Sequence, residues 1–419
     1  VTDSQVSRPS GLGAADRNNT VRVAAGLALG PAVVLGLARF AYALLLPSMR
    51  AELHWSLTTA GAMNSANALG YLAGALATAG LARRYGARRT FLVGLGVTVA
   101  SLLLTAATGD TVVLLGLRTV AGASGAVAFI AGAGLVAEVA AGGAARRTAM
   151  LLGIYFAGGG AGIVISGLSV PAVLAVMPSS TGWRWGWVLL GALGAAALVP
   201  AWLAARASRE PPTPPQHDRR WPARNFAALL GSYALFGAGY IAYMTFIVDF
   251  LHDGGARTGE ITAFWAVLGA ASILGAFAWV RPIARLRGGR GASMVLTVVA
   301  AGAILPLVSR SAPVAMVSAA LFGGSFLAVV TSVTAVARQS LRPHHWTPAI
   351  AALTVAFAAG QSVGPVLTGV LSEGSAGLRI GLGVSTGLLV AAALIALGQR
   401  HLEDRPGTIM TPLDVSVVE

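Results

Sequence analysis

Arg206-Ala-Ser-Arg-Glu-Pro-Pro-Thr-Pro-Pro-Gln-His-Asp-Arg-Arg-Trp-Pro-Ala-Arg224 interrupts an otherwise apolar chain close to its midpoint. Between Pro211 and Pro215 only Thr213 is not proline, and five arginines are spread over the stretch. Proline lacks the backbone N–H and its ring clashes with the preceding turn, so no helix continues through here. The stretch reads as a solvated, basic tether of residues 206–224. On its two sides lie long apolar regions, 22–205 and 225–398, each expected to be one six-helix bundle.

Of the 419 residues, 56% are hydrophobic and only 11% are charged, against roughly 25% charged in soluble domains. The chain has no cysteine, which excludes a disulfide framework, a thiolate nucleophile and a cysteine metal site. All 29 basic residues are arginine, and the formal net charge is +14. These arginines stand in short clusters between apolar runs. That is the pattern of cytoplasmic membrane loops and not of a nucleic-acid surface.

A spanning helix needs about 20 apolar residues. On that rule twelve spans are expected: 23–46, 59–81, 90–108, 111–137, 148–172, 184–205, 225–250, 259–281, 291–308, 312–337, 348–371 and 378–398. Residues 1–21 are polar without periodicity and are expected to be disordered, with 399–419 as a second polar tail. The first apolar run exceeds a signal h-region of about 7–15 residues, so it reads as a span and not a secretory signal. With the N-terminus inside, 22 arginines fall on the cytoplasmic side and five outside: Arg50, Arg184, Arg257, Arg310 and Arg379. Both termini are therefore expected in the cytoplasm, as in a multi-pass protein of a bacterial-type inner membrane. Arg39 and Arg118 remain, and both fall within spans.

The chain also repeats. Gly36, Ala41 and Tyr42 recur 201 positions on as Gly237, Ala242 and Tyr243, and Phe156, Ala157 and Gly159 as Phe357, Ala358 and Gly360. A shift of 202 places Arg83, Gly86 and Arg88 on Arg285, Gly288 and Arg290. An even number of spans separates the copies, so they share orientation. An all-α membrane protein of six plus six helices is the architecture implied.

Several motifs point to a family. Leu117-Arg118-Thr-Val-Ala-Gly122 in span 4 resembles the arginine–glycine motif of the major facilitator superfamily. Arg83-Arg84-Tyr85-Gly86-Ala87-Arg88 resembles its basic loop after span 2, with Arg83 where most members have aspartate and Ala79 for the leading glycine. Trp183-Arg-Trp-Gly-Trp187 is similar to the family's sequence before span 6. Gly36-Leu-Ala-Arg-Phe-Ala-Tyr42 with Leu46-Pro-Ser-Met49, Gly239-Tyr-Ile-Ala-Tyr-Met-Thr-Phe246, Ala263-Phe-Trp265 and Gly360-Gln-Ser-Val-Gly-Pro365 resemble the YbfB/YjiJ branch. The likeness covers about residues 22–398. It implies a cavity lined by spans 1, 4, 7 and 10, about which the two halves rock.

The intramembrane polar residues are the site candidates. A charge within a spanning helix costs about 2.5–3.5 kcal/mol and is expected to face a cavity or protein interior. Arg39, with Tyr42 one turn on, is expected to work on the substrate. Arg118 has two readings, a substrate contact or an arginine that pins helix carbonyls. Asn64, Asn67 and Tyr71 share a face of span 2, and Tyr240 and Tyr243 one of span 7. Trp265 is an apolar wall, and Gln361 is either a cavity group or a helix–helix bond. Interhelical packing is the competing account for all of these. Arg83, Arg84, Gly86, Arg88, Arg285 and Arg290 are expected to gate the cytoplasmic edge, with Gly364 and Pro365 bending span 11. Gly158/Gly162, Gly360/Gly364 and Gly70/Gly74 are small-residue pairs for close helix approach.

Enzyme signals fail on context. Gly132-Ala-Gly-Leu-Val-Ala137 fits a dinucleotide fingerprint but lies in an apolar span with no preceding strand. All six histidines are expected in loops or tails, so no metal site and no cofactor is expected. The expected function is secondary active transport of a small organic solute, an anion by the excess of buried arginine, in a monomer embedded in the bilayer. A proton-coupled exporter is an alternative, with Asp249 as the candidate proton site near the outer water. A non-transporting sensor or scaffold of the same fold is another.

Overall fold

The structure is a computed structural model describing residues 14–141, 145–178, 181–211, 221–374 and 377–400. Twelve long helices run up and down between two faces. They are α1 (Asn18–Leu53), α2 (Leu57–Tyr85), α3 (Ala87–Ala106), α4 (Thr111–Val139), α5 (Ala145–Val176) and α6 (Gly182–Ala207). The second half holds α7 (Ala223–Asp253), α8 (Thr258–Arg285), α9 (Arg290–Val308), α10 (Ala312–Ser340), α11 (Pro343–Ser372) and α12 (Leu378–Leu397). Among the described residues, 11 of these are apolar and long enough to cross a membrane. The exception is α2, whose 29 residues have the length while Asn64, Ser65 and Asn67 dilute its hydropathy.

Two expectations change. Residues 14–21, expected to lack structure, begin the helix Ala14–Leu27 that leads into α1. The remainder of that polar segment, 1–13, and the tail from 401 lie outside the described residues. Not every histidine is in a loop either. His252 sits in the last turn of α7, and His344 and His345 in the first turn of α11.

Turn chemistry sets the helix ends. The Ser56 hydroxyl accepts the Thr59 N–H at 3.1 Å to start α2, and the Asp110 carboxylate accepts that of Val113 at 2.8 Å to start α4. Between α2 and α3 the chain reverses at Gly86 with φ of 82°, and between α8 and α9 at Gly288 with φ of 60°. Only glycine takes this conformation without strain. The two residues are those the internal repeat had aligned.

Glycine also brings the backbones together, and does so twice over. Gly158 and Gly162 of α5 rest on Ala28 and Ala32 of α1, while Gly360 and Gly364 of α11 rest on Ala234 and Ala238 of α7. Gly70 and Gly74 of α2 meet Thr119 and Ala123 of α4, and Gly275 of α8 meets Gly324 of α10. A Cβ at any of these would overlap a neighbouring carbonyl. Lipid tails are as apolar as side chains, so helix association here depends on such close packing. The matching pairs make the two bundles pseudo-symmetric.

The halves meet along α2 with α11 and α5 with α8. Gly61 lies on the Pro365 carbonyl and Gly369 on that of Leu57; Gly160 lies on Gly269, and Gly167 on the Trp265 ring. Phe277 packs on Gly153 nearer the face that carries the tether.

Candidate functional site

α1 is not a plain α-helix. From Ala32 to Phe40 it is π-helical, with the Ala41 N–H bonding the Gly36 carbonyl at 3.1 Å. Such turns are uncommon and concentrate at functional positions. Arg39 lies in this stretch and is only 4% exposed. Its Nη2 donates to Gln361 Oε1 of α11 at 2.8 Å, and the Gln361 amide donates in turn to the Tyr240 hydroxyl of α7. The guanidinium also lies 5.3 Å from the centre of the Tyr71 ring of α2. Its Nε is buried and has no hydrogen-bond partner. One chain of contacts therefore crosses from the first half to the second at Arg39.

Arg118 of α4 forms a second node. Its Nη1 donates to the Ala38 carbonyl at 2.7 Å and its Nη2 to Asn64 Oδ1 at 2.9 Å. The rings of Tyr42 and Trp187 lie 4.8 and 5.7 Å from its carbon centre. Asn64 passes the contact on, donating to Thr245 Oγ1 of α7 at 2.6 Å. Asn67 donates to the Arg118 carbonyl at 3.1 Å, and the Tyr42 hydroxyl to that of Ala60 at 2.8 Å. The bond to the Ala38 carbonyl has the geometry of an arginine that pins a helix carbonyl.

The remaining candidates lie elsewhere. The Tyr243 hydroxyl is 2.7 Å from that of Ser318, inside the second half. Trp265 Nε1 donates to Ser166 Oγ at 3.3 Å across the α5–α8 contact. Neither joins the Arg39 group. Thr245, Trp187 and Phe357 were not among the site candidates, although each lies in a motif or repeat quoted above.

Charges near the face opposite the tether depart from expectation. Arg50, placed in an outer loop by its sequence, sits in the last turn of α1 and is ion-paired with Asp249 of α7. Asp249, expected near water, is buried. Helix α1 runs further than hydropathy alone indicates, which brings both groups into the interface between the halves. Close by, the Thr58 N–H donates to Glu373 Oε1 at 3.0 Å, again joining the halves. Hydrogen bonding from the Thr58 hydroxyl first, then from its N–H and from Ser56, draws the exposed Glu373 carboxyl below its ordinary range. The cross-half bonds at Arg39, Asn64, Trp265, Arg50 and Thr58 all lie at mid-depth or nearer this far face.

On the tether face, Arg88 is the gating candidate held by hydrogen bonds, all within its own half. Arg88 Nη2 donates to the Ser208 carbonyl at 2.7 Å, and Glu210 accepts from the N–H groups of Ala87 at 2.8 Å and Arg88 at 3.2 Å. The first tether residues thus cap α3. Arg84 lies over Tyr85, while Arg83, Arg285 and Arg290 point to solvent. Gly364 packs within its own half on Ala238, and Pro365 lies inside α11 with its carbonyl on Gly61. None of the three ion pairs among the described residues involves Arg39 or Arg118.

The family described as "Uncharacterised MFS-type transporter YbfB" matches residues 31–397. No curated protein matches the sequence. The fold is similar to that of a bacterial homolog of the human lysosomal transporter Spinster, in an inward-facing, unoccupied conformation, with a TM-score of 0.66 and 17% identity over 92% of this chain and 97% of that one. The nucleoside transporter NupG is similar with a TM-score of 0.66 and 13% identity, over 90% of this chain and 98% of its own. At these identities the likeness concerns the fold.

Proposed function

Since the chain belongs to the YbfB-type transporters of the major facilitator superfamily, we propose that it moves a small organic anion across the membrane by alternating access. One observation carries the reading. Two guanidiniums, Arg39 and Arg118, are buried where the halves meet, and neither has a carboxylate partner among the described residues. Asp249, the buried carboxylate of α7, is committed to Arg50. Buried charge of one sign favours a solute of the other.

The two arginines have different duties. Arg118 holds α1 and α2 together from α4. Arg39 is held by a single neutral acceptor, Gln361, which a solute carboxylate outcompetes by its charge. Exchange of Gln361 for the solute would loosen the link between α1 and α11 and favour rocking of the halves. A second reading, coupling to a proton, rests on Asp249: protonation would release Arg50 and free the far face.

A thermal-shift panel of small carboxylates, phosphates and amines on purified protein, followed by uptake of the hits into proteoliposomes, tests the reading. Carboxylates are expected to raise the melting temperature, with the effect lost in Arg39→Gln and kept in Arg257→Gln. A cationic best substrate, or full carboxylate affinity in folded Arg39→Gln protein, overturns it. Proton coupling predicts that a pH gradient drives uptake in the wild type and not in Asp249→Asn.

We further assign both ends of the chain and the tether to the cytoplasmic side of the membrane, in a monomer. Ser208 is buried, so Arg209 is the better reporter. In this cysteine-free chain, Arg209→Cys should resist an impermeant thiol reagent applied outside intact cells, while His54→Cys should react. The reverse result sinks the orientation.

A further inference from the structure

The guanidinium of Arg39 is linked through Gln361 to a group of aromatic rings. Tyr240, which receives the Gln361 amide, stacks on Phe236 at 4.8 Å and on Phe357 at 5.5 Å, with interplanar angles of 18° and 8°. Phe357 continues the stack to Tyr233 at 4.6 Å and 13°. Phe326 lies 6.1 Å from Tyr240 and meets Phe40, the residue after Arg39, edge-on at 5.7 Å. Across the interface, the Tyr71 ring of the first half lies against the guanidinium itself. Most of these rings are buried in one another. Tyr71 and Phe357 are the ones left partly exposed.

The parallel alignment matters. Rings that only fill space adopt edge-on and tilted arrangements as readily as stacked ones. Here Tyr233, Phe236, Tyr240 and Phe357 hold their planes within 18° of one another in every contact between them. Of these four rings only Phe357 keeps an exposed part, next to the Tyr240 that the Gln361 amide reaches. The Arg39 cation has a vacancy on one edge. In a guanidinium, Nε–H and one Nη–H form a fork that fits the two oxygens of a carboxylate. Arg39 presents Nη2 to Gln361 while its buried Nε has no partner.

We infer that the solute is a flat aromatic carboxylate, its carboxylate forked on Arg39 and its ring laid between the partly exposed rings of Tyr71 and Phe357. This deepens the anion reading above and rests on it. Gln361 then acts as the group the carboxylate displaces, and Tyr240 is left free to donate its hydroxyl to a ring substituent. Aliphatic acids gain the fork but not the face, and aromatic amines meet the guanidinium with like charge.

Four probes separate the elements: benzoate, cyclohexanecarboxylate, hexanoate and benzylamine, titrated into the full chain in nanodiscs. Benzoate is expected to bind tightest. Its preference over cyclohexanecarboxylate is expected to be about threefold to tenfold, the range one aromatic pair supplies. Phe357→Leu should remove that preference, Phe357→Tyr should retain it, and Arg39→Gln should abolish binding of all three acids. Equal affinity for benzoate and cyclohexanecarboxylate, unchanged in Phe357→Leu, overturns the aromatic inference and leaves the anion reading standing. Benzylamine as the best ligand, or acids binding undiminished to Arg39→Gln, brings down both. If none of the four binds, the aromatic assignment is wrong.

Discussion

Arg50 in the last turn of α1 and Asp249 near the end of α7 form an ion pair that ties the two halves together at the face away from the tether. The partners are unequal, since the Asp249 side chain is 3% exposed and that of Arg50 27%. Arg50→Gln therefore leaves a buried carboxylate alone, whereas Asp249→Asn leaves a cation that can turn to water. Removing one member of a buried pair costs about 3–5 kcal/mol, and the exposure of Arg50 places this case at the lower end. Thermal unfolding should show Arg50→Gln to be the more damaging variant. Spin labels at His54 and Asp253 should move apart in both variants and return together in the charge-swapped double mutant.

Glu373 gives the far face a dependence on pH. Hydrogen bonds from Thr58, with help from Ser56, favour its charged form and hold its carboxyl below the ordinary range. A depressed carboxyl contributes its bond fully above the unfolded value, roughly 4.3, and loses it as pH falls through the lower folded value. The far-face label distance should accordingly stay constant down to mildly acidic pH and lengthen only below the usual carboxylate range. Glu373→Gln should show the lengthened distance at neutral pH.

Arg118 and Arg39 should part company on mutation. Arg118 donates to Ala38 and Asn64 within its own half, and hydrogen bonds from a charged group are worth about 1.5–3 kcal/mol each. Arg118→Gln is expected to lower the melting temperature sharply. Arg39→Gln should unfold close to the wild type while losing solute. Equal melting losses in both would contradict this division.

Close packing of backbones supplies a stability test. A Cβ at Gly360 would overlap the Ala234 carbonyl, while one at Gly383 of α12 would meet nothing within 4 Å. Gly360→Ala should cost about 1–3 kcal/mol by overpacking. Gly383→Ala should be neutral or stabilise by up to about 1 kcal/mol through helix propensity. Reversible unfolding in detergent would compare the two.

The fold was legible because a membrane leaves few options. Apolar runs of spanning length, arginines between them and a proline-rich break sufficed for twelve helices and two halves. The repeat was legible in Gly86 and Gly288, since positive φ strongly favours glycine. The site was only partly so. A buried arginine is costly enough to be conspicuous, which identified Arg39 and Arg118, and Gln361 stood out as an amide in an apolar run. Which polar groups meet is set by helix rotation and tilt, and hydropathy carries neither. Tyr243 and Tyr42 are matched by the repeat, yet one meets Ser318 and the other the Ala60 carbonyl. Arg50 was misplaced for a related reason, because a helix ends where its hydrogen bonds end and not where its apolar residues do.

The π-helical stretch of α1 holds more residues than an α-helix of the same height would. That surplus is a wrinkle, and a wrinkle can travel. Passing it along α1 would advance the residues it crosses by about 1.5 Å and turn them by about 100°, while the two ends stay fixed. Those ends are fastened, by Gly158 against Ala28 near one and by Arg50 with Asp249 at the other. Arg39 lies next to last in the wrinkle. It can swing out of reach of Gln361 without the helix having to move as a rod.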